Sequence, residues 1–160
     1  MSDPRFQRTV ILLVQHNAKG ALGIAINHPV NELPLAKLLD ALGVDSKGAE
    51  GSVRVFAGGP VQPEAGFVVH SAGYRRQGTI DIDGRVAMTA SAEVLRDIGR
   101  HKGPRQSLVA FGYAGWGSGQ LENEIALGGW FTTPEEPPLV FDFDRDKLWD
   151  EAIKHRTISL

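Results

Sequence analysis

Apolar runs separated by turn chemistry set the rhythm of the chain. Residues 9–15 are β-branched or apolar at nearly every position, the pattern of a strand buried on both faces. Asn17-Ala18-Lys19-Gly20 is turn chemistry, and residues 22–27 read as the returning arm of a hairpin. His28-Pro29 ends that arm, because the residue before proline avoids helical backbone and proline gives the ladder no N–H. Leu35, Leu38, Leu39 and Leu42 fall at i, i+3, i+4 and i+7, one apolar face of a short helix that Gly43 stops. Strands are expected over 53–57 and 67–70 around Gly58-Gly59-Pro60. Two more are expected over 79–82 and 85–88, joined by the two-residue hairpin signal Asp83-Gly84.

Further along, Ser91 is placed to cap a helix over 92–98, with Gly99 as its left-handed stop. Residues 107–112 read as a buried strand leading into a glycine-rich loop. Residues 119–127 read as a short amphipathic helix, with Leu121 and Ile125 on one side. A strand is expected over 139–143, then a last helix capped by Asp144 and carrying Leu148, Trp149 and Ala152. No internal repeat or linker interrupts the pattern. Hairpin-joined strands broken by short helices predict one α+β domain over residues 1–160.

Composition narrows the function. With 42% hydrophobic and 22% charged residues the chain is ordinary for a globular protein, which excludes disorder. The absence of cysteine excludes thiolate nucleophiles, disulfides and cysteine-bearing zinc sites, and fits a cytoplasmic protein. The longest aliphatic run, residues 10–14, is far short of a membrane span or a signal-peptide core, so no membrane role is expected. The net charge of −2 advertises no nucleic-acid field. Charge is uneven, however: residues 121–160 hold nine acids against four bases. That makes the C-terminal quarter a poor face for phosphates.

Several residue sets are candidates for chemistry. Gly115, Trp116, Gly117, Gly119 and Gln120 follow a strand and precede a helix, where backbone N–H groups could cradle an anion. The stretch matches neither a P-loop nor a dinucleotide fingerprint, and Trp116 spoils a nucleophile elbow. Trp116 equally suits a packed or partner-binding aromatic. His16, His28 and His70 lie at strand ends near Glu64 in the predicted layout, but no local ligand spacing links them, and no metal or cofactor is expected. Asp142, Asp144 and Asp146 alternate as in a calcium loop, yet Lys147 and Ile153 stand where glycine and glutamate are required. Arg96, Arg100, Lys102 and Arg105 form the most basic segment, a candidate for direct DNA contact without any DNA-binding motif.

The chain resembles a bacterial family, the AlgH/YqgE type. The resemblance runs in order through Asp3-Pro4-Arg5-Phe6, His16-Asn17, Gly20-Ala21-Leu22-Gly23 and Ile26-Asn27 with Pro29. It continues through Gly58-Gly59-Pro60-Val61, 66–70 and, most specifically, 112–117 with 119–122. It implies an α+β fold with a mostly antiparallel, partly barrel-like sheet flanked by short helices. It also implies a role in transcriptional regulation assigned on genetic grounds, with no catalytic residues to carry over. The family's usual hydrophobic strand before Asp3 has no counterpart in this sequence; either the start is assigned late, or an edge strand is absent and a neighbouring strand is exposed to pairing. Gln15 stands for an acid and His28 for an arginine, so any site near Asn27 carries a different charge. The expectation is a non-enzymatic regulatory or interaction protein with a protein partner or small ligand. Asp3, Arg5, Phe6, Asn27, Gly58, Gly59, Pro60 and the 115–120 residues are its candidate contacts. A phosphate-bearing ligand on residues 115–120 and direct DNA contact through 96–105 are the alternatives.

Overall fold

The computed structural model describes residues 7–142 and 144–157. The first hairpin forms as expected: β1 (Ile11–Asn17) pairs antiparallel with β2 (Gly20–Ala25). The turn between them rests on Gly20, whose φ of 139° suits glycine. β1 is not buried on both faces, which corrects the reading of 9–15. Leu12 and Val14 enter the core, whereas Ile11 and Leu13 stay half-buried. The chain next forms β3 (Pro29–Pro34), a strand that the sequence pattern did not indicate. Its residues are mostly exposed and its prolines sit at its ends, so neither hydrophobic alternation nor propensity marks it.

Helix α1 (Leu35–Ala41) buries Leu35, Leu38 and Leu39, and Gly43 follows it in the left-handed region at φ 73°. Strands β4 (Ser52–Ala57) and β5 (Val61–Ser71) come next, then the hairpin of β6 (Ile80–Asp81) and β7 (Val86–Thr89). That hairpin turns through residues 82–85, not through Asp83-Gly84 alone, and Ile82 N–H donates to the Val86 carbonyl at 2.9 Å. Helix α2 (Glu93–Gly99) has Ser91 Oγ accepting the Glu93 N–H at 3.2 Å. Gly99 is a buried helical residue, not a left-handed stop. A Cβ there would lie 2.9 Å from Leu35 Cδ2 and 3.0 Å from Ala49 Cβ, so this glycine lets α2 approach α1. His101, at φ 60°, takes the left-handed conformation instead.

β8 (Ser107–Trp116) is the axis of the sheet. It pairs antiparallel with β5 on one side. On the other it pairs antiparallel with β2 near its end and parallel with β4 near its start, β3 lying beyond β4. β4–β8 is the one parallel pairing among the described residues, so the sheet is mostly antiparallel, and it curls as a half-barrel. Half of the expected glycine-rich loop is therefore strand. Helix α3 (Gln120–Ala126) follows a short turn. The strand expected over 139–143 does not form in its described residues: α4 (Pro137–Phe141) is a helix, opened by prolines at its first positions, and Phe143 lies outside the described residues. A short apolar run cannot be assigned by period alone, and the prolines decided this one. A 3-10 turn (Arg145–Lys147) leads into α5 (Leu148–Lys154).

Two clusters sandwich the sheet. Leu12, Val14, Phe56, Leu108 and Ala110 pack under α4 and α5 on one face. Val53, Val55, Val68 and Val109 pack under α1 and α2 on the other. Gly112, at φ 83°, shifts the phase of β8, so that Tyr113 joins the first cluster and Ala114 and Trp116 turn to the opposite face. A Cβ on Gly112 would overlap the Gly59 carbonyl oxygen, and one on Gly58 would overlap the Gly112 carbonyl oxygen. Gly112→Ala is expected to destabilise the protein by about 2–4 kcal/mol, from left-handed strain and overpacking together. Gly73→Ala, which meets open space, should change stability by less than about 0.5 kcal/mol. Urea unfolding of both variants measures the contrast.

Candidate functional site

A cleft of about 540 Å³ opens beside β1. Its size is in the range of ligand pockets. Ile11, Leu13, Trp116, Leu121, Ile125 and Trp130 line one side, and these belong to the cluster under α3. Val10, Leu12, Ile26, Leu139 and Val140 also line it, and these belong to the cluster under α4 and α5. A cleft touching both faces of a sheet must pass around a strand edge. β1 pairs only with β2 among the described residues, so that edge is its own outer one.

The aromatic wall is held by one carboxylate. Glu124 Oε1 accepts the Trp130 indole N–H at 2.8 Å and the Trp116 indole N–H at 3.2 Å, while Gln120 Nε2 donates to Glu124 Oε2 at 3.0 Å. The two indoles meet edge to face at 5.9 Å. His16 and Glu122 form an ion pair at the same end of the cleft. Elsewhere on the cleft, Arg8 lies over the Trp149 ring and pairs with Asp150, and Arg156 lies 5.7 Å from the Phe131 ring centre. Phe131 is 65% exposed, an unusual position for a phenylalanine.

Residues 128–136 close the outer wall without regular secondary structure. Arg85 Nη2 donates to the Glu135 carbonyl at 2.6 Å, Thr133 Oγ1 donates to the His155 carbonyl at 2.8 Å, and Thr157 N–H donates to the Thr132 carbonyl at 2.6 Å. The Glu135 carboxyl is raised to about 7, first by burial and then by the hydrogen bond and charge of Asp83. Asp83 is lowered to about 2, first by its bond to Glu135 and then by donors from Arg85 and Val86.

The residues expected from the sequence separate into groups. Trp116 is buried, 8% exposed, and lines the cleft. Gly115 lies exposed on β8, and Gly117, Gly119 and Gln120 form the exposed turn into α3. Gly117 N–H already donates to Gln120 Oε1 at 2.9 Å, so the anion cradle spends its donor on its own helix. Asn27 accepts from Val10 N–H at 2.9 Å and donates to the Arg8 carbonyl at 2.9 Å, extending the first hairpin by a side chain. Gly58 donates to the Phe111 carbonyl at 2.8 Å and accepts from Ala25 N–H at 2.8 Å. It thus joins β2, β4 and β8, with Gly59 against Tyr113 and Pro60 exposed beside it. Asp3, Arg5 and Phe6 lie outside the described residues.

The three histidines stay apart. His28 Nε2 bonds Thr9 Oγ1 at 2.7 Å, and burial lowers its pKa. His70 is fully buried between the Ser71 carbonyl and Thr89 Oγ1, each at 2.8 Å, and burial lowers its pKa as well. Among the described residues no three His, Asp or Glu side chains converge as a metal site. In the basic segment Arg96 is held by Glu93 at 3.5 Å, while Arg100, Lys102 and Arg105 are exposed. No helix among the described residues is long and apolar enough to cross a membrane. Sequence reasoning missed Trp130, Phe131 and Glu135. Trp130 and Phe131, two aromatics in a stretch with no periodicity, were the available signal.

The family model described as AlgH-like, DUF179, matches residues 1–160. The chain belongs to the AlgH-like family. A UPF0301 protein of Jannaschia is 44% identical over 156 residues, covering 96% of this chain and 81% of that protein. One from Thioalkalivibrio sulfidiphilus is 39% identical over 160 residues, covering 100% and 86%. The solution structure of the AlgH protein from Pseudomonas aeruginosa is similar at TM-score 0.79 and 38% identity, covering 97% of this chain and 82% of that one. A crystal structure from Corynebacterium diphtheriae shares the fold at TM-score 0.75 and 19% identity, covering 99% and 82%. The mixed fold is thus the AlgH-like one.

Two outcomes follow for this AlgH-like site. Trp116→Ala should cost about 3–5 kcal/mol in urea unfolding, because the indole is core as well as cleft wall. Glu135 keeps its proton in the folded protein to about pH 7, whereas the unfolded chain releases it near the ordinary glutamate value of 4.5. Stability therefore falls as pH rises between those values. Glu135→Gln, which keeps a donor toward Asp83, should remove about 1–2 kcal/mol of that fall once solvent screening is allowed for. Urea titrations at pH 5 and pH 7.5 read it.

Proposed function

We propose that the protein is a non-enzymatic regulatory or interaction protein of the AlgH-like family that works by binding through the cleft beside β1. The observation that carries this reading is the concentration of tryptophan, phenylalanine and aliphatic side chains around one open cavity of ligand size. Aromatics of this kind anchor bound partners. Regulation of transcription would then be indirect, by capture of a partner or ligand in the cytoplasm, a placement that the cysteine-free composition supports. The alternatives have weaker support. The turn at 115–120 uses its donor internally, and α3 is a helix of only seven residues. In the basic segment Asp97 and Glu93 take up Arg76 and Arg96, which reduces the charge left for a phosphate backbone.

The test is titration with 1-anilinonaphthalene-8-sulfonate, an apolar aromatic probe. A saturable, blue-shifted emission is expected, with at least tenfold weaker binding in Leu13→Arg at an unchanged circular-dichroism melt. An absent or non-saturable signal, or equal binding by Leu13→Arg, would exclude the cleft as the binding site.

A further inference from the structure

The outer wall of the cleft carries a carboxyl that the fold leaves without donors. Both oxygens of Glu135 are buried, and among the described residues neither accepts a hydrogen bond from an N–H or a hydroxyl. Asp83, in the turn between β6 and β7, acts on it from the facing side and is itself well supplied. Asp83 Oδ1 accepts the Arg85 N–H at 2.9 Å and the Val86 N–H at 3.2 Å. Its Oδ2 accepts Arg85 Nη2 at 3.1 Å and Nε at 3.3 Å. Four donors on one carboxyl and none on the other separate their charges: Asp83 is the anion and Glu135 the neutral acid. Among the described residues Arg85 is the cation that acts on Glu135, with Nη2 3.9 Å from Oε2. Its side chain is 55% exposed against 17% for Glu135, so water screens the cation more than the acid. Glu136, next in the chain, adds a second negative charge.

Once ionised, Glu135 is a buried carboxylate without donors, set against Asp83 and beside Glu136. Burying such a charge is costly, and relief lies outward, in water. The backbone permits that movement. Residues 130–136 carry no regular secondary structure, and Gly128, at φ 79°, and Gly129 precede them. Between Thr133 and the first turn of α4, the tie among the described residues is the bond from Arg85 Nη2 to the Glu135 carbonyl. That same Nη2 also serves Asp83. Residues 134–136 all line the cleft, so their displacement alters access to it.

We infer that residues 134–136 are a proton-operated flap on the cleft, shut while Glu135 is neutral and swung outward when it ionises against Asp83. Burial, and then Asp83, raises the Glu135 carboxyl to about 7, so the two states exchange near neutral pH. The sign follows from an acid held neutral by its surroundings: the flap is shut below that pH and open above it. The device does not depend on what the cleft binds, and the dye titration above decides that question separately.

The chain's three tryptophans, Trp116, Trp130 and Trp149, all line the cleft, so their quenching by acrylamide, an uncharged probe, measures access. In the full chain the bimolecular quenching constant, taken from fluorescence lifetimes, is expected to rise about twofold or more between pH 6 and pH 8.5. Its midpoint should coincide with the titration of the Glu135 carboxyl, followed by its ¹³C shift. Glu135→Gln, which stays neutral, should hold the low value throughout. Glu136→Gln should keep the rise, and so should His16→Gln, at the imidazole that also lines the cleft. A flat quenching constant while Glu135 titrates overturns the inference. So does a Glu135 carboxyl already ionised at pH 6, or a rise that survives in Glu135→Gln. A rise lost in His16→Gln assigns the effect to the imidazole and overturns it as well. Should Glu135→Gln fail to fold, the two wild-type midpoints decide, and a separation of about one pH unit or more overturns the flap.

Discussion

The close contact of backbones at Gly58, Gly59 and Gly112 is the constraint on which the rest of the structure depends. At this point β2, β4 and β5 converge on β8, and a Cβ on any of the three glycines would overlap a neighbouring main chain. Gly58 carries one hydrogen bond to β8 and another to Ala25, so one residue splices two strands onto the same edge. Gly112 then supplies the phase shift. Before it, even-numbered residues of β8 point under α4 and α5. After it they point toward α3. Without that shift Trp116 would face the opposite side of the sheet, since a one-residue change in phase reverses every side chain.

The cleft is a consequence of how the sheet ends. β8 satisfies its own edges with three neighbours, whereas β1 has a neighbour on one side among the described residues. Residues 128–136 run across the gap, tied down at Trp130 by Glu124, near Thr132 and Thr133 by the end of α5, and at Glu135 by Arg85. The polar atoms at these ties are mostly satisfied within the protein. What lines the cleft between these ties is mostly apolar and aromatic side chains.

Much of the fold was legible because local chemistry and tertiary demand agreed. The leucine spacing of α1, the Asn17–Gly20 turn and the buried core of β8 each formed where periodicity and turn residues placed them. Elements were misread where two local signals competed. Leu139, Val140 and Phe141 are as apolar as a buried strand, but Pro137 and Pro138 start a helix. Gly99 looks like a helix stop, yet it is a contact surface for Leu35 and Ala49. β3 has no apolar alternation, because β4 alone recruits it and most of its side chains face solvent.

The candidate site divides in the same way. Trp116 stood out in the sequence for its glycine neighbours, and in the structure it is both core and cleft wall. Asn27 and Gly58 also stood out, but their polar groups are consumed in joining strands. By itself the sequence determined the hairpins, the amphipathic helices and the membership of the AlgH-like family, since each is written in neighbouring residue types. Only the tertiary structure decided that Ile11, Trp116, Trp130 and Trp149 surround one cavity, and that burial beside Asp83 raises the Glu135 carboxyl. These residues are far apart in the chain, and no local periodicity encodes which of them a folded sheet brings together.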